Sequence, residues 1–417
     1  MEIVKIFDNM IPKEDLRWYL FEENIDSHQK NGLINYEERV LQHMKKFKSY
    51  YFPFRLFGMV SKIFYKLSKF TNQDKSNILV HDYLWKYPSI VNQLQSKYNP
   101  IFFGLNIKPF IFSLHKNLHY PLYDVYNSVY AGIINSNDYL LEDSFLRLEK
   151  KLKKIDPKLI ILDFDHFPET RLMTMVAKKL EIPTIEIQHG IYSGKGKLVS
   201  GNYVDYVFVW GEYFKDLYLR NKKNQTPEIR ILGYPYSIPY PENMRYNKRI
   251  AYLGQALELY GDSFLNTKKD MIQELDSWCT DNGFEFVYKP HRMEDLDLLK
   301  KECPQVKFSP KNEKIEDTLI NNNVFISFNS TALIESALNS KMSVQLINYD
   351  IPTDDFEELG ICRSFTSLTE LKEFLKELKT SEDVKRHYSP VNPYYIEIPS
   401  PSPGEKFVEL MREILDF

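Results

Sequence analysis

Short runs of apolar residues recur along most of the chain, and they alternate with segments whose apolar residues have helical spacing. Runs of this length, separated by helices, are typical of parallel strands that helices cover on both faces. Helical signals follow several of them, most clearly at 169–181 and 212–221. The strands predicted in the first half are 77–83, 100–105, 158–165, 183–188, 205–210 and 228–233.

A proline-rich segment, residues 233–249, interrupts this alternation and has neither a strand nor a helix period, so it indicates a linker. The alternation then resumes. We therefore predict an α/β protein of two doubly wound domains, residues 1–236 and 237–417, that face each other across a cleft. Two domains also suit a chain of 417 residues. The strands predicted in the second half are 249–255, 284–291, 323–329 and 342–348.

Composition and charge exclude several classes of protein. The formal net charge is −3, so no overall field favours nucleic acid. The start of the chain lacks the pattern of a signal peptide, and no run approaches the length of a membrane span. We therefore expect a cytoplasmic protein. The cysteines lie far apart, which argues against a zinc site or a disulfide framework: Cys279, Cys303 and Cys362.

One segment, residues 45–70, combines seven Lys or Arg with aromatic residues and contains no acidic residue. Such a segment is suited to an anionic membrane surface, which predicts peripheral attachment to the inner face of a membrane. The alternative is a helix that packs its aromatic side chains inward and exposes its lysines.

Polar residues follow two predicted strands of the first domain. Ligands of doubly wound sheets bind beyond the carboxyl ends of the strands, and a cleft between domains is a favoured site. His189 follows one strand and is suited to act as a general base, with capping of the next element as the alternative. Gln188 precedes it, and Gly190 allows a ligand to approach the backbone.

Asp163 and Asp165 follow another strand, and their alternation puts only one of them on a given side. One is a candidate base or nucleophile, and the other is expected to cap the next helix. Lys195 and Lys197 lie in the glycine-bearing loop after Gly190 and are candidate contacts to the acceptor or the donor. The segment 81–85 also resembles a functional strand end.

The second domain offers candidate anion-binding residues. Ser330 and Thr331, after Asn329, precede a predicted helix, whose N-terminus attracts anions; ordinary capping is the alternative. Glu335 lies one turn deeper, where it could accept ribose hydroxyls or simply complement the helix dipole. Gln255 follows another strand and is a candidate contact to ribose or base. Three basic residues come at the end of a further predicted strand: Lys289, His291 and Arg292. They form either a phosphate site or a solvated basic turn.

Taken in order, these motifs resemble the GT-B glycosyltransferases, which have two Rossmann-like domains, and more narrowly the bacterial transferases of surface polysaccharides. In the sialyltransferases of this group, an acidic motif closes a strand of the first domain, and an HP motif and a Ser/Thr pair bind the CMP phosphate. The corresponding segments here are 188–190, 289–291 and 329–331. Kdo transferases of capsule synthesis and CDP-glycerol glycerophosphotransferases share this layout. Two departures are His189, where sialyltransferases have an acid, and Arg292, which replaces the proline.

The resemblance implies transfer of a sugar from a nucleotide donor, with a CMP-sugar favoured, to a capsule, lipopolysaccharide or lipid-linked glycan acceptor. His189 would take the proton of the acceptor hydroxyl, or Asp163 or Asp165 would act as nucleophile if configuration is retained. The second-domain residues would stabilise the leaving phosphate without a metal or other cofactor. The alternatives are a CDP-glycerol phosphotransferase, a non-hydrolysing UDP-sugar 2-epimerase and a non-catalytic subunit of glycan assembly.

Overall fold

The computed structural model contains two parallel β-sheets with helices on their faces, which confirms the predicted α/β class. Residues 237–245 of the linker and residues 50–70 of the basic segment lie outside the described part of the chain. The residues that the structure describes are 16–30, 32–49, 75–104, 118–120, 122–191, 201–220, 227–236, 246–291, 294–347, 353–387 and 390–415.

The strands of the first sheet are β1 Asn77–His81, β2 Asn99–Phe103, β3 Leu118–His119, β4 Leu159–Leu162, β5 Thr184–Ile187, β6 Tyr206–Val209 and β7 Glu228–Ile231. Within the described residues they pair in parallel in the order β3-β2-β1-β4-β5-β6-β7. Every residue of β4 and β5 is buried, because helices cover the middle of the sheet on both faces. The carboxyl ends of these strands therefore point to one common edge.

The strands of the second sheet are β8 Arg249–Leu253, β9 Glu285–Lys289, β10 Val324–Ser327, β11 Met342–Leu346 and β12 Arg363–Phe365. They are parallel too, in the order β12-β11-β10-β8-β9 across the described residues. In each sheet the first strand of the domain lies inside the sheet, and later strands are added first on one side of it and then on the other. The point where the strand order reverses opens a crevice beyond the strand ends, where ligands of such sheets bind.

Helices connect these strands and cover the two sheets. Their bounds are α1 Glu23–Gln29, α2 Tyr36–Ser49, α3 Pro88–Lys97, α4 Tyr123–Ile134, α5 Asp138–Ile155, α6 Pro168–Lys179, α7 Glu212–Arg220, α8 Asp262–Asp281, α9 Leu296–Glu302, α10 Ile315–Asn321, α11 Ala332–Leu338, α12 Leu368–Glu377, α13 Ser381–His387 and α14 Pro403–Leu415. In the described part of the chain, no helix has the length and apolar character that a membrane crossing requires.

The strand positions predicted from the apolar runs agree with the structure, apart from their ends. β1 stops at His81 because residues Asp82–Lys86 turn into a short 3₁₀ helix. Two edge strands were not predicted, because β3 and β12 are only two and three residues long and have no repeating pattern.

The C-terminal helix α14 corrects the predicted domain division. The boundary at 236/237 separates the two sheets, but α14 returns to the first domain and packs against α3. Phe407 and Met411 of α14 are fully buried in the same apolar cluster as residues of β1 and β2. At the start of α14, the Gly404 N–H donates to Ser89 Oγ at 3.0 Å.

The N-terminal helices belong to the first domain but also contact the second. Just before α2, the Asn35 N–H donates to the Leu259 carbonyl at 3.2 Å, and Asn35 Nδ2 donates to the Glu258 carbonyl at 3.0 Å. Arg39 forms an ion pair of 3.2 Å with the Glu258 carboxylate. These contacts bridge the two domains at one end of the cleft.

Candidate active site

The carboxyl ends of β1, β4 and β5 bring a lysine, a carboxylate and a histidine together. The carboxylate of Asp163, which is 2% exposed, lies 2.8 Å (Oδ1) and 3.0 Å (Oδ2) from the ammonium group of Lys86. Burial alone would raise the pKa of Asp163, but Lys86, His189 and His81 hold it below its usual value. Asp163 is therefore an anion, and His189 lies within its electrostatic reach.

Three histidine rings surround Phe164. The ring centroids of His81, His166 and His189 lie 5.0, 5.1 and 5.9 Å from that of Phe164. Burial lowers the pKa of His81 to about 4 and that of His166 well below its usual value, so both are neutral at physiological pH. His189 differs from them because it is only half-buried, which leaves it accessible to a substrate.

Asp165 has a structural position instead of the catalytic one expected from its place after β4. It is fully buried, and its two carboxylate oxygens accept from the N–H groups of Gly201 at 2.8 Å and Tyr203 at 2.6 Å. Burial raises its pKa, and Glu186 lies beside it. Asp165 thus fixes the backbone that leads into β6, and it does not cap the helix α6 as an alternative prediction had it.

Gln188 also holds the backbone. Its side chain is fully buried, accepts from the Trp210 N–H at 3.0 Å and donates to the Gly190 carbonyl at 2.9 Å. These bonds join the ends of β5 and β6 and shape the turn that presents His189. Gln188 therefore positions this loop and does not reach a substrate itself. Lys195 and Lys197 lie outside the described residues.

The two domains meet at Gly190 and Thr331. A Cβ atom added to Gly190 would stand 3.6 Å from Thr331 Oγ1, which is an ordinary van der Waals distance, so the two residues border the cleft from opposite domains. Thr331 immediately precedes α11, and the neighbouring Ser330 Oγ accepts from the Ala332 N–H at 3.3 Å. Ser330 thus makes a local hydrogen bond at the start of α11, whereas Thr331, at the N-cap position, makes no side-chain capping bond; the hydroxyl hydrogen of Ser330 stays available.

Glu335 lies one turn further along α11 and faces the first domain. Burial, followed by the negative charge of Glu316, raises its pKa to about 7; Tyr234 and Lys86 oppose this rise. Lys86 therefore acts electrostatically on Asp163 in the first domain and on Glu335 in the second. The cleft thus places a group that can be protonated or ionised near neutral pH opposite the Asp163–His189 pair.

Gln255 and Asn329 bind each other across the ends of β8 and β10. Gln255 Nε2 donates to the Asn329 side-chain oxygen, and the Asn329 N–H donates to Gln255 Oε1 at 2.9 Å. Both residues are half-buried. The pair fixes the loops that border the cleft, and its remaining polar atoms are the ones that a ligand could contact.

Two of the three basic residues predicted at the end of β9 are described by the structure. Lys289 donates to the Glu313 carbonyl at 2.7 Å, and burial lowers its pKa. His291 is exposed, and its backbone N–H donates to Glu294 at 2.5 Å. Arg292 lies outside the described residues. Lys289 is therefore hydrogen-bonded to the backbone of its own domain, and its contact with a phosphate stays a prediction.

Lys86 is the cleft residue that sequence reasoning missed. Lys86 directly follows the segment 81–85, which resembles a functional strand end in the sequence. The same signal, extended by one residue, therefore predicts Lys86 as a cleft residue. Among the residues that the structure describes, no group of three or more His, Cys, Asp and Glu side chains is arranged to hold a metal ion.

Comparisons with known proteins establish the fold. No protein-family model matches the chain, and no curated protein matches its sequence. Among solved structures, a UDP-GlcNAc 2-epimerase from Methanocaldococcus jannaschii matches with a TM-score of 0.54 and 13% identity, over 81% of this chain and 99% of the other. The UDP-GlcNAc 2-epimerase from Neisseria meningitidis, bound to UDP-GlcNAc, gives 0.53 and 13%, over 82% and 100%.

A third match is MnaA from S. aureus with UDP, with a TM-score of 0.53 and 13% identity over 82% of this chain and 97% of the other. The two parallel sheets and these similarities show that the chain has the GT-B fold of two facing Rossmann-like domains. At such low identity the similarity extends to the fold alone. The narrower resemblance to sialyltransferases and Kdo transferases stays a prediction.

Proposed function

We propose that this protein is a glycosyltransferase that moves a sugar from a nucleotide-activated donor to a surface glycan acceptor. The observation that carries the proposal is that Asp163 and His189 follow the neighbouring strands β4 and β5 of the first domain, across the cleft from Thr331 and Glu335 of the second. A base on one side and hydroxyl and carboxyl groups on the other are what transfer between two bound substrates requires.

In this mechanism, His189 takes the proton of the acceptor hydroxyl as its oxygen attacks the anomeric carbon of the donor sugar. The Asp163 carboxylate stabilises the imidazolium that forms, and Lys86 keeps Asp163 ionised. The bond from the anomeric carbon to the phosphate oxygen breaks, and the nucleotide leaves with its electron pair. Asp163 is thus a partner of the base in this mechanism and not the nucleophile.

The donor is placed against the second domain, where the hydroxyls of Ser330 and Thr331 can donate to its phosphate. Glu335 has a pKa of about 7 and can accept from ribose hydroxyls once it is ionised. Lys86 contributes positive charge to the same cleft, so we expect transfer to proceed without a divalent cation. Turnover that continues at an unchanged rate in EDTA would agree with this expectation.

The test is a thermal-shift panel with CMP, CDP, UDP, GDP and their sugar conjugates. A ligand that binds the native state raises the melting temperature by mass action. We expect one nucleotide to raise it in the wild type, and to do so less in Thr331→Val and Glu335→Gln. A shift with CMP would favour an acidic-sugar donor, and a shift with CDP the glycerophosphotransferase. If no nucleotide shifts the melting temperature, the enzyme proposal is wrong and a binding subunit is the better interpretation.

A UDP-sugar 2-epimerase is the second candidate, and one observation favours it. Titratable groups stand on both sides of the cleft, His189 with Asp163 on one and Glu335 on the other, as removal and return of a proton at one carbon would need. Incubation with UDP-GlcNAc alone separates the two functions. Formation of the 2-epimer without any acceptor would identify an epimerase, whereas a transferase leaves the sugar unchanged until an acceptor is added.

The acceptor is proposed to be lipid-linked and therefore located at the inner face of a membrane. The support is the composition of residues 45–70, whose lysines and aromatic residues suit anionic lipid. A flotation assay with anionic vesicles at low salt tests this directly. Absence of the protein from the vesicle fraction would remove the membrane contact but would leave the transfer reaction untouched.

A further inference from the structure

A cavity of about 310 Å³ lies beside the candidate active site, beneath the N-terminal helix α2. Its floor is formed by the ends of β1 and β4, and Leu259 closes it from the second domain. Asn35 donates a hydrogen bond to the Leu259 carbonyl, and Arg39 pairs with the Glu258 carboxylate. These contacts hold the turn that contains Leu259 against the start of α2. The volume falls within the range of small-molecule sites.

Glu169 contributes a buried carboxyl group to the wall of this cavity. The residue is 6% exposed and lines the cavity; the Tyr130 side chain interacts with its carboxyl group, and no hydrogen bond of ordinary geometry reaches its Oε2 atom among the described residues. Buried polar atoms in folded proteins almost always have partners, so such an atom in a cavity wall indicates a ligand or a bound water. Burial raises the pKa of Glu169 to about 7, so its carboxyl can donate a hydrogen bond as well as accept one.

The remaining lining narrows the chemistry of the ligand. Four aromatic side chains contribute walls: Tyr36, Tyr83, Phe164 and Phe167. The imidazole of His81 is neutral, and the guanidinium of Arg39 is paired with Glu258 at 3.2 Å. His43 is the remaining basic side chain of the lining, so the cavity offers an anionic ligand neither an ammonium group nor a guanidinium group that lacks a carboxylate partner. Aromatic faces with a few hydrogen-bonding groups at the edges suit a neutral, hydroxylated ring.

We propose that this cavity binds a neutral sugar ring of the acceptor, with the Glu169 carboxyl hydrogen-bonded to a ring hydroxyl and the aromatic side chains against its apolar faces. The proposal rests on the proposed function, and it assigns the acceptor's binding site. Phe164 lines the cavity, and its ring centroid is 5.9 Å from that of His189, so the cavity is close to the candidate base. An acceptor whose ring occupies the cavity would thus have its neighbouring unit near His189.

Saturation-transfer NMR on the full chain tests this proposal with neutral butyl glycosides of hexoses and N-acetylhexosamines at millimolar concentration. We expect at least one glycoside to show transfer to its ring protons in the absence of any nucleotide. Glu169→Ala should weaken its binding roughly tenfold, as loss of one buried hydrogen bond predicts, and Glu169→Gln should retain most of it. Val40→Phe, which extends a buried cavity residue into the space, should abolish binding.

The exposed variant Glu142→Gln is the matched control and should bind like the wild type. If Glu169→Ala fails to fold, Val40→Phe and Glu169→Gln still decide the question. Binding that survives both Glu169→Ala and Val40→Phe would overturn the proposal, as would absence of any binding. Saturation transfer confined to the butyl protons would mean a site for lipid chains and would also overturn it.

The outcome is separable from that of the proposed function. Nucleotide shifts without sugar binding would overturn the acceptor site alone, because the donor site lies on the second domain. Sugar binding without any nucleotide shift would keep the cavity as a glycan site and remove the transferase.

Discussion

The ammonium group of Lys86 lies 2.8 Å from Oδ1 of Asp163, and this ion pair joins the turn after β1 to the end of β4. Asp163 is 2% exposed, whereas Lys86 keeps 24% of its side chain accessible. The pair therefore keeps a carboxylate charged inside the protein and leaves its cation in contact with the cleft. Because Asp163 acts on His189, the pair also sets the charge around the candidate base.

Lys86→Gln should reduce the free energy of unfolding by about 2–3 kcal/mol, because it leaves the buried Asp163 carboxylate without its partner. The double variant Lys86→Gln/Asp163→Asn should lose less than the sum of the two single variants, since no uncompensated charge remains. Urea denaturation of the three variants measures the coupling. Additive losses would show that the ion pair contributes no interaction energy of its own.

His189→Ala should lower kcat by roughly 10²–10⁴-fold, the range for loss of a general base, while the nucleotide-induced thermal shift stays as in the wild type. The matched control is His387→Ala, because His387 lies in the second domain and pairs with Glu377 at 3.4 Å. Turnover is followed by mass spectrometry of the glycosylated acceptor. Full activity of His189→Ala would assign the base elsewhere, and loss of nucleotide binding would assign His189 to the donor instead.

Local patterns were sufficient to predict the sheets but not the partners of the polar residues. β4 and β5 are wholly buried, so their apolar runs were easy to recognise. Lys86 and Asp163, however, are 77 positions apart, and Asp165 binds backbone 36 and 38 positions further on. Such contacts depend on how the strands pair, and no spacing in the sequence encodes them.

The same reason applies to the partner of Lys289 in the second domain. Lys289 is the last residue of β9, and the carbonyl of Glu313, 24 positions away, accepts its hydrogen bond. The prediction for Glu335 as a cleft residue also depended on the second domain facing the first. A helix period places it one turn into α11, but only the packed structure shows the burial that raises its pKa.

Glu335 should make stability depend on pH. Its pKa rises from 4.5 to about 7 on folding, so the folded state holds the proton more tightly than the unfolded state does. Its contribution to stability is thus fully present below pH 4.5 and is lost as the pH rises to about 7 and beyond. The shift corresponds to about 3 kcal/mol, which partial exposure reduces to roughly 1–2 kcal/mol.

The measurement is urea unfolding of the wild type and Glu335→Gln at a series of pH values. The variant cannot ionise at this position, so the stability of the wild type should fall relative to it between pH 4.5 and 7. Glu142→Gln, on the exposed side of α5, serves as the control. A constant difference between wild type and Glu335→Gln at all pH values would mean that Glu335 has an ordinary pKa.

The C-terminal helix should stabilise the first domain, although it follows the second in the sequence. Phe407 is fully buried against the first sheet, so Phe407→Ala should cost about 3–5 kcal/mol. Gly404→Ala should cost about 1–3 kcal/mol, because its new Cβ would lie 2.2 Å from the Ser89 carbonyl oxygen. Arg412→Ala changes an exposed position of the same helix and should be nearly neutral.

Hydrogen exchange locates the effect of these α14 substitutions within the chain. Because α14 packs on α3 and its apolar cluster includes β1 and β2, Phe407→Ala should speed exchange in those elements and leave β8–β11 protected. Faster exchange confined to the second domain would contradict this placement and would restore the division at 236/237. Equal acceleration in both domains would indicate instead that the two domains unfold as one cooperative unit.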